Sequence, residues 1–553
     1  MNRREMMKLG AGAFATSLPL VAHAEHPFRD AAPDSGATAD QGGDAVQGTI
    51  EQWGIFEVAL AGPSEGNPFI QVTLSAEFRH QHRTVSVTGF YDGNGTYRIR
   101  FMPDATGDWS YVTTSSAGAL HGKSGSFQCT SASTGNHGPV HVAHQFHFQY
   151  ADGTPYFPFG TTTYSYLFMS EPYDLQTIAS LKDSPFNKVR VCVLPKGQGK
   201  RGLPEFPFEH AAGSSSAHRE ELKDGHPSNA TFDCDRLNPR YFQLLERRLL
   251  ELQKAGIEAD LILFHPYDSW GFKSMTPEQD DRYLRYAIAR FAAYRNVWWA
   301  IANEYDLVKT KSLADWDRFF RITVASDPYS HLRSIHHSKV IYDHSKPWCT
   351  HASLQEYDFQ KSAERRAAWN KPIVYDEIQY EGNIARRWGN LSAEEVTRRF
   401  WLATVHGVYA SHGETYKTPP GEPVWSDGGK LRGISSPRIA FLRKLLERAT
   451  QTGVNEFEDA YYPSAGKDKE LYLYYFDFHC VGEYDFPLPA GVRFKATLID
   501  PWNMTERELP GVFTGKSTGS RFVDENAGDQ IQGGTNHIEL TGKPYMAVLF
   551  QKV

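Results

Sequence analysis

The chain has 553 residues, room for about three to four domains of ordinary size, one of them large enough for a barrel of about 250 residues. Hydrophobic residues make up 40% and charged residues 22%, the balance of an ordinary soluble globular protein. The formal net charge is -7 and no Lys/Arg-rich stripe interleaved with aromatics occurs, which argues against nucleic acid as the main ligand.

Residues 1–24 read as an export signal. Asn2-Arg3-Arg4-Glu5-Met6-Met7-Lys8 matches a twin-arginine motif, a weakly apolar stretch follows from Leu9 to about Val21, and Ala22-His23-Ala24 offers a small-residue cleavage site. At roughly 12 residues the apolar stretch is too short for a bilayer span, which needs about 20. No later segment reads as a membrane helix, so the expected location is periplasmic or secreted. A protein exported in the folded state does not need disulfides to fold. Consistent with that, Cys129, Cys192, Cys234, Cys349 and Cys480 are odd in number, scattered and without CxxC spacing, which suggests neither a disulfide framework nor a zinc site.

Residues 25–46, rich in Ala, Gly, Asp and Ser, read as a flexible linker. Residues 47–135 read as all-β. Ile70, Val72, Leu74, Ala76 and Phe78 alternate at period two, Asp92-Gly93-Asn94-Gly95 is a strong turn, and Tyr97 to Met102 continues as a strand. A small immunoglobulin-like sandwich is the expected form.

From 140 to 450, strand-like apolar runs alternate with amphipathic helices, the order of βα units. The candidate strands are Tyr156–Gly160, Lys188–Leu194, Ala259–Phe264, Val297–Ala302, His331–His336, Pro347–Thr350, Pro372–Tyr375 and Gly407–Ser411, which predict a (β/α)8 TIM barrel in an α/β chain. Thr276-Pro277-Glu278-Gln279 is a capping box with proline at the first helical position. Ser392 caps a second helix. Asn238-Pro239 opens a third, whose stripe is Phe242, Leu245, Leu249 and Leu252 and which ends at Gly256. The Gly-, Ser-, Pro- and His-rich stretch from 198 to 235 follows the second strand and reads as a loop shaping the active-site face. Residues 456–553 return to β as a second sandwich, with strands at Leu471–Phe478, Phe494–Ile499 and Tyr545–Phe550.

Two strand ends carry the chemistry. The fourth, Val297-Trp298-Trp299-Ala300-Ile301-Ala302, runs into Asn303-Glu304. The seventh, Lys371-Pro372-Ile373-Val374-Tyr375, runs into Asp376-Glu377. Strand C-termini open onto the active-site face of a barrel, so both glutamates should meet across its mouth. Glycoside hydrolysis needs such a pair: one carboxyl protonated for the leaving oxygen, the other ionised against the anomeric carbon, about 5–5.5 Å apart for retention and about 6.5–9.5 Å for inversion. The amide of Asn303 can hydrogen-bond a sugar 2-hydroxyl. The chain's 28 Tyr, 34 Phe and 12 Trp also fit a carbohydrate partner, since aromatic faces stack on sugar rings.

This pattern resembles the retaining clan A glycoside hydrolases. The resemblance implies that Glu304 is the acid/base and Glu377 the nucleophile, with Arg190 on the second strand, His265 after the third and Trp425 after the eighth as further site residues. Over nearly the whole mature chain the sequence also resembles bacterial apiosidase-like glycoside hydrolases flanked by N- and C-terminal β-sandwiches. The matching segments are Gly66-Asn67-Pro68-Phe69, Gly89-Phe90-Tyr91-Asp92-Gly93, Phe264-His265-Pro266-Tyr267-Asp268-Ser269-Trp270-Gly271-Phe272, Tyr375-Asp376-Glu377-Ile378-Gln379-Tyr380-Glu381-Gly382-Asn383, His412-Gly413-Glu414-Thr415-Tyr416 and Ile499-Asp500-Pro501-Trp502-Asn503-Met504-Thr505. The chain departs from apiosidases at Asn303-Glu304, where they use Asp as acid/base.

The remaining candidates have two readings each. Arg190 is a substrate contact or an ion-pair partner, with Glu377 the natural carboxylate. His265 and Tyr267, His337, His351, Tyr380 and His412 are sugar contacts or packed side chains, and Glu414 binds substrate hydroxyls or pairs with a lysine. Asp268 and Glu381 sit similarly beside the site. One of Trp298 and Trp299 should face the barrel and the other the helices. No HxH or HExxH spacing supports a metal, and no cofactor is expected. The expected partner is an oligosaccharide or polysaccharide. A non-catalytic carbohydrate-binding protein and a polysaccharide lyase are the alternatives.

Overall fold

The computed structural model describes residues 38–39, 47–196, 205–212, 214, 232–457, 461–515 and 535–553. The signal at 1–24, nearly all of the linker and most of the 198–235 loop lie outside the described residues.

At the centre is an 8-stranded parallel sheet formed by Gly160–Thr162, Lys188–Cys192, Glu258–Phe264, Val297–Ala302, Arg333–Ser334, Ala352–Leu354, Ile373–Tyr375 and Tyr409–His412. The eighth strand returns to the first through Gly160 opposite Ser411, and a bridge from His336 to Ser353 joins the fifth to the sixth. The TIM barrel is therefore a closed ring of strands in chain order. Two strands are displaced along the chain from the expected segments, and others differ only in their ends. The first is Gly160–Thr162 rather than 156–160, because Pro155–Tyr156 pair instead with His147–Tyr150 in a small antiparallel sheet. The sixth is Ala352–Leu354 rather than 347–350. The small sheet packs against the start of the fourth strand, with Phe148 and Tyr156 against the Trp298 ring at 5.4 and 5.9 Å.

Period-two alternation decides what faces the interior. Lys188 and Arg190 point inward between Val189 and Val191. Trp298 faces in, 5.3 Å from the Lys188 ammonium, while the indole of Trp299 donates outward to Asp327 at the end of a helix, 3.0 Å. The helices start where their caps predict. Thr276 accepts from the Gln279 amide at 3.3 Å and Gln279 reaches back to the Thr276 amide at 3.1 Å. In the helix Pro239–Lys254, Phe242, Leu245, Leu249 and Leu252 are fully buried. Each such side chain contributes about 1.5–3 kcal/mol.

The N-terminal region is a sandwich of two sheets. Rings from both fill its core, with Phe56 stacked on Phe127 at 3.9 Å and Phe78 on Phe101 at 4.1 Å. The strand expected from Ile70 begins at Leu74; Pro68–Gln71 forms a short helix capped by the Asn67 side chain. Arg100 joins this sandwich to the barrel by pairing with Glu246, 2.6 Å. In the C-terminal region a seven-stranded sheet, which includes Leu471–Tyr475, Arg493–Asp500 and Ala547–Lys552, is faced by the pair Glu483–Pro487 and Thr535–Glu539. Tyr475 stacks on Trp401 of the helix Ala393–Val405 at 5.6 Å, which docks that sheet on the barrel. No helix among the described residues is long and apolar enough to cross a membrane.

Candidate active site

Glu304 and Glu377 stand at the ends of the fourth and seventh strands, with 0% and 4% of their surfaces exposed. Glu304 has φ 45° and ψ 51°, a left-handed conformation that costs a non-glycine residue energy and persists only where its surroundings enforce it. Those surroundings are main-chain hydrogen bonds to both neighbouring strands. The Asn303 amide donates to Phe264 O at 2.9 Å and the Tyr305 amide to His336 O at 3.0 Å.

The Glu304 carboxylate accepts a short hydrogen bond from the Tyr267 hydroxyl. That hydroxyl accepts from Asn303 Nδ2 at 2.9 Å, and Asn303 Oδ1 accepts from Arg190 Nη2 at 2.7 Å. The guanidinium therefore fixes which way the amide points, and the amide leaves the tyrosine proton for the carboxylate. Where the sequence suggested Glu377 as the carboxylate for Arg190, the ion pair is with Asp260 at 3.8 Å. Burial of Asp260 beside Arg190 explains this choice, since both side chains share the inward face of adjacent strands.

On the opposite side, the Glu377 amide donates to Leu354 O at 3.2 Å. Its carboxylate accepts from Tyr164 Oη at 3.3 Å and from Gln355 Nε2 at 3.2 Å. Tyr164 and Tyr380 share a hydroxyl contact of 3.1 Å. The Tyr164 and Tyr267 rings lie 6.2 Å apart, so the two tyrosines join the two glutamates across the mouth. The Lys196 ammonium sits over both rings, 4.5 and 5.1 Å from their centroids, and pairs with Asp427 at 3.4 Å.

His265 orients the loop that carries Tyr267. Its Nε2 donates to Leu194 O at 2.9 Å and its Nδ1 accepts from the Tyr267 amide at 3.2 Å. Burial pushes this imidazole down to about 4, so it is neutral, as that pattern requires. Asp268 accepts main-chain N–H bonds from Trp270, Gly271 and Lys273 and shapes the same loop. His337 borders the Glu304 side, 3.9 Å from Glu356, and burial lowers its basicity.

Five candidates lie elsewhere. His351 precedes the sixth strand instead of following it, so it stands at the barrel floor, buried edge-on to Trp298 at 5.3 Å. His412 is the last residue of the eighth strand and faces away from the inward Ser411. It stacks on Phe186 at 4.7 Å and contacts Thr161 Oγ1 at 3.1 Å. Glu414 accepts the main-chain N–H groups of Arg432 and Gly433, 2.7 Å each, and so clamps the approach to the helix Ser436–Ala449. Glu381 holds the same approach through Ile434 and Ser435. Trp425, 1% exposed, donates to Thr161 Oγ1 at 2.9 Å, behind the first strand. The structure thus gathers Glu304, Glu377, Arg190, Asn303, Tyr267 and Tyr380, with His337 alongside. It adds Tyr164, Gln355 and Lys196, which sequence reasoning missed.

A closed parallel barrel with a glutamate at its fourth and seventh strand ends is the framework of a barrel glycoside hydrolase. The chain belongs to the apiosidase-like family: the model of the "Apiosidase-like, catalytic domain" matches residues 143–426. Two domains of unknown function match on either side, DUF5060 over residues 49–116 and DUF5605 over 461–551. A candidate glycoside hydrolase of solved structure from Bacteroides vulgatus ATCC 8482 is 36% identical, with a TM-score of 0.82 over 91% of this chain and 100% of that one. A family 5 glycoside hydrolase from the same organism is 13% identical, with a TM-score of 0.53 over 75% of this chain and 94% of that one, and shares the fold. No curated protein sequence matches. The protein is a glycoside hydrolase.

Proposed function

We propose that the enzyme cleaves O-glycosidic bonds of an oligosaccharide or polysaccharide with retention, Glu304 acting as acid/base and Glu377 as nucleophile. The observation that carries this reading is the pairing of each carboxyl with a tyrosine from its own side of the mouth, the two tyrosine rings being 6.2 Å apart. Tyr267 donates to Oε2 of Glu304 and so holds in place the carboxyl that gives its proton to the departing oxygen. Tyr164 and Gln355 both donate to Glu377, and donors favour the ionised form a nucleophile needs. Glu377 attacks the anomeric carbon as the bond to the leaving oxygen breaks and Glu304 gives up its proton. Water, deprotonated by Glu304, then releases the sugar from Glu377.

The test is Glu304→Gln and Glu377→Gln, each on a glycan that the wild-type enzyme cleaves. Loss of general acid catalysis is worth about 10²–10⁴-fold, and loss of the nucleophile should leave no turnover. Unaffected turnover in either variant sinks the assignment, and a first product of inverted anomeric configuration sinks retention. Export through the twin-arginine signal belongs to the same reading. Fractionation of cells carrying Arg3→Lys and Arg4→Lys together tests it, with retention in the cytoplasm expected.

A further inference from the structure

We propose that Lys188 is a positioning residue of the active site: from inside the barrel its ammonium ties Asp376, the neighbour of Glu377, to Asp260 on the Glu304 side, and so fixes the separation of the two carboxyls. The proposal rests on the catalytic roles given above.

Lys188 Nζ lies 2.6 Å from Asp376 Oδ1 and 2.8 Å from Asp260 Oδ2, and all three side chains are closed from solvent. Asp376 also accepts from Ser353 Oγ at 2.7 Å and Ser411 Oγ at 2.8 Å. The second, third, sixth, seventh and eighth strands thus converge on one carboxylate and one ammonium. Asp260 faces Arg190, and Arg190 holds Asn303. A single buried chain of contacts therefore runs from Asn303-Glu304 through Arg190, Asp260 and Lys188 to Asp376-Glu377.

Stability does not explain this arrangement. Burying an ion costs several kcal/mol even after relaxation, and well-packed apolar residues in place of a buried ionic cluster are often neutral or stabilising. What such a cluster does supply is a unique geometry, and a misplacement of about 1 Å at reacting groups costs about 100-fold in rate. Burial pushes the Asp376 carboxyl up, but Lys188, Arg190 and the donating hydroxyls outweigh it and hold the group well below the usual carboxylate range. His336 and His351, both kept neutral by burial, face the cluster, as do Glu258 opposite Lys188, Tyr156 near Asp260, and Tyr164 and Tyr380 near Arg190.

The experiment compares Lys188→Met, Asp376→Asn and the double variant, on the full chain with a glycan the wild type cleaves. Lys188→Met should lower kcat about 100-fold and leave KM within about threefold. The acid limb of kcat/KM should move up in Lys188→Met, which exposes Glu377 to the uncompensated Asp376 charge. It should move down in Asp376→Asn, which leaves the cation. A merely structural role gives no such opposed displacements. If Lys188→Met fails to fold, the charge-balanced double variant serves in its place, and its kcat should be depressed as strongly. A folded Lys188→Met or double variant with kcat within threefold of wild type overturns the proposal, as do limbs that move together. If Glu304→Gln or Glu377→Gln retains turnover, the catalytic assignment fails instead, whatever Lys188→Met shows.

Discussion

The sharpest single perturbation of the acid side is Tyr267→Phe. The ring keeps its place, 5.6 Å from His265 and 6.2 Å from Tyr164, so the loop should hold its shape. Two hydrogen bonds disappear. A bond to the neutral acid contributes about 0.5–1.5 kcal/mol, and the buried Asn303 Nδ2 loses an acceptor, which costs about 1–3 kcal/mol more. These overlap, because Asn303 can turn toward Arg190 or the sugar; about 1–3 kcal/mol is the expected rise in barrier, or about 5- to 150-fold in kcat/KM. The assay compares a natural glycoside with an aryl glycoside whose leaving group departs without a proton. Loss should be concentrated on the natural glycoside, because only that step needs the acid role proposed for Glu304. Equal loss on both substrates, or a change under threefold on the natural one, would refute the argument that Tyr267 acts through Glu304.

Two further outcomes test the frame around the site. Burial pushes the Glu381 carboxyl up, but the hydrogen bond and charge of His412, with Ser435 and Tyr416, outweigh this and hold it at about 2. A depressed folded value stabilises the protein above the unfolded carboxylate value of about 4.3 and loses that contribution as pH falls toward 2. Glu381→Gln should therefore lower stability at neutral pH and flatten its decline between about pH 4.3 and 2, read by urea unfolding across that window; an unchanged slope counts against the clamp. Trp401→Ala removes a fully buried ring from the barrel's contact with the C-terminal sheet, a change that costs about 3–5 kcal/mol. Urea unfolding should show the C-terminal sheet opening before the barrel, and a single transition with little loss would contradict a docking role for that stack.

The two glutamates could be read from the sequence because each follows an apolar run, Val297–Ala302 and Ile373–Tyr375, whose short unbroken apolar character marks a buried strand. Tyr164 and Gln355 could not. The strands before them are Gly160-Thr161-Thr162, without an apolar side chain, and Ala352-Ser353-Leu354, with only two, and each is three residues long. Their strand geometry comes from pairing with neighbours in a closing ring, a tertiary effect that local pattern does not carry. The apolar segments just upstream set the expected strands too early, and the same shift puts the expected His351 at the mouth rather than the floor. His412 and Glu414 lie away from the mouth for another reason. Ser411 takes the inward position beside Asp376, and period two then turns His412 outward, where the clamp on the helix approach lies.

The same alternation shows why the support for the site sits where it does. In Lys188-Val189-Arg190-Val191 the apolar residues face the helices, and the two cations have only the barrel interior to enter. Left alone there, either would carry the cost of an unpaired buried charge. Asp260 and Asp376 make the set two cations against two anions, which is why the interior can be charged without being unstable. Neutrality alone would be met by many arrangements of four such residues. The one adopted leads to both glutamates of the mouth: Asp376 directly precedes Glu377, and Arg190, which faces Asp260, holds Asn303 directly before Glu304. Charge balance therefore explains why the cluster can exist, and only the site explains its layout.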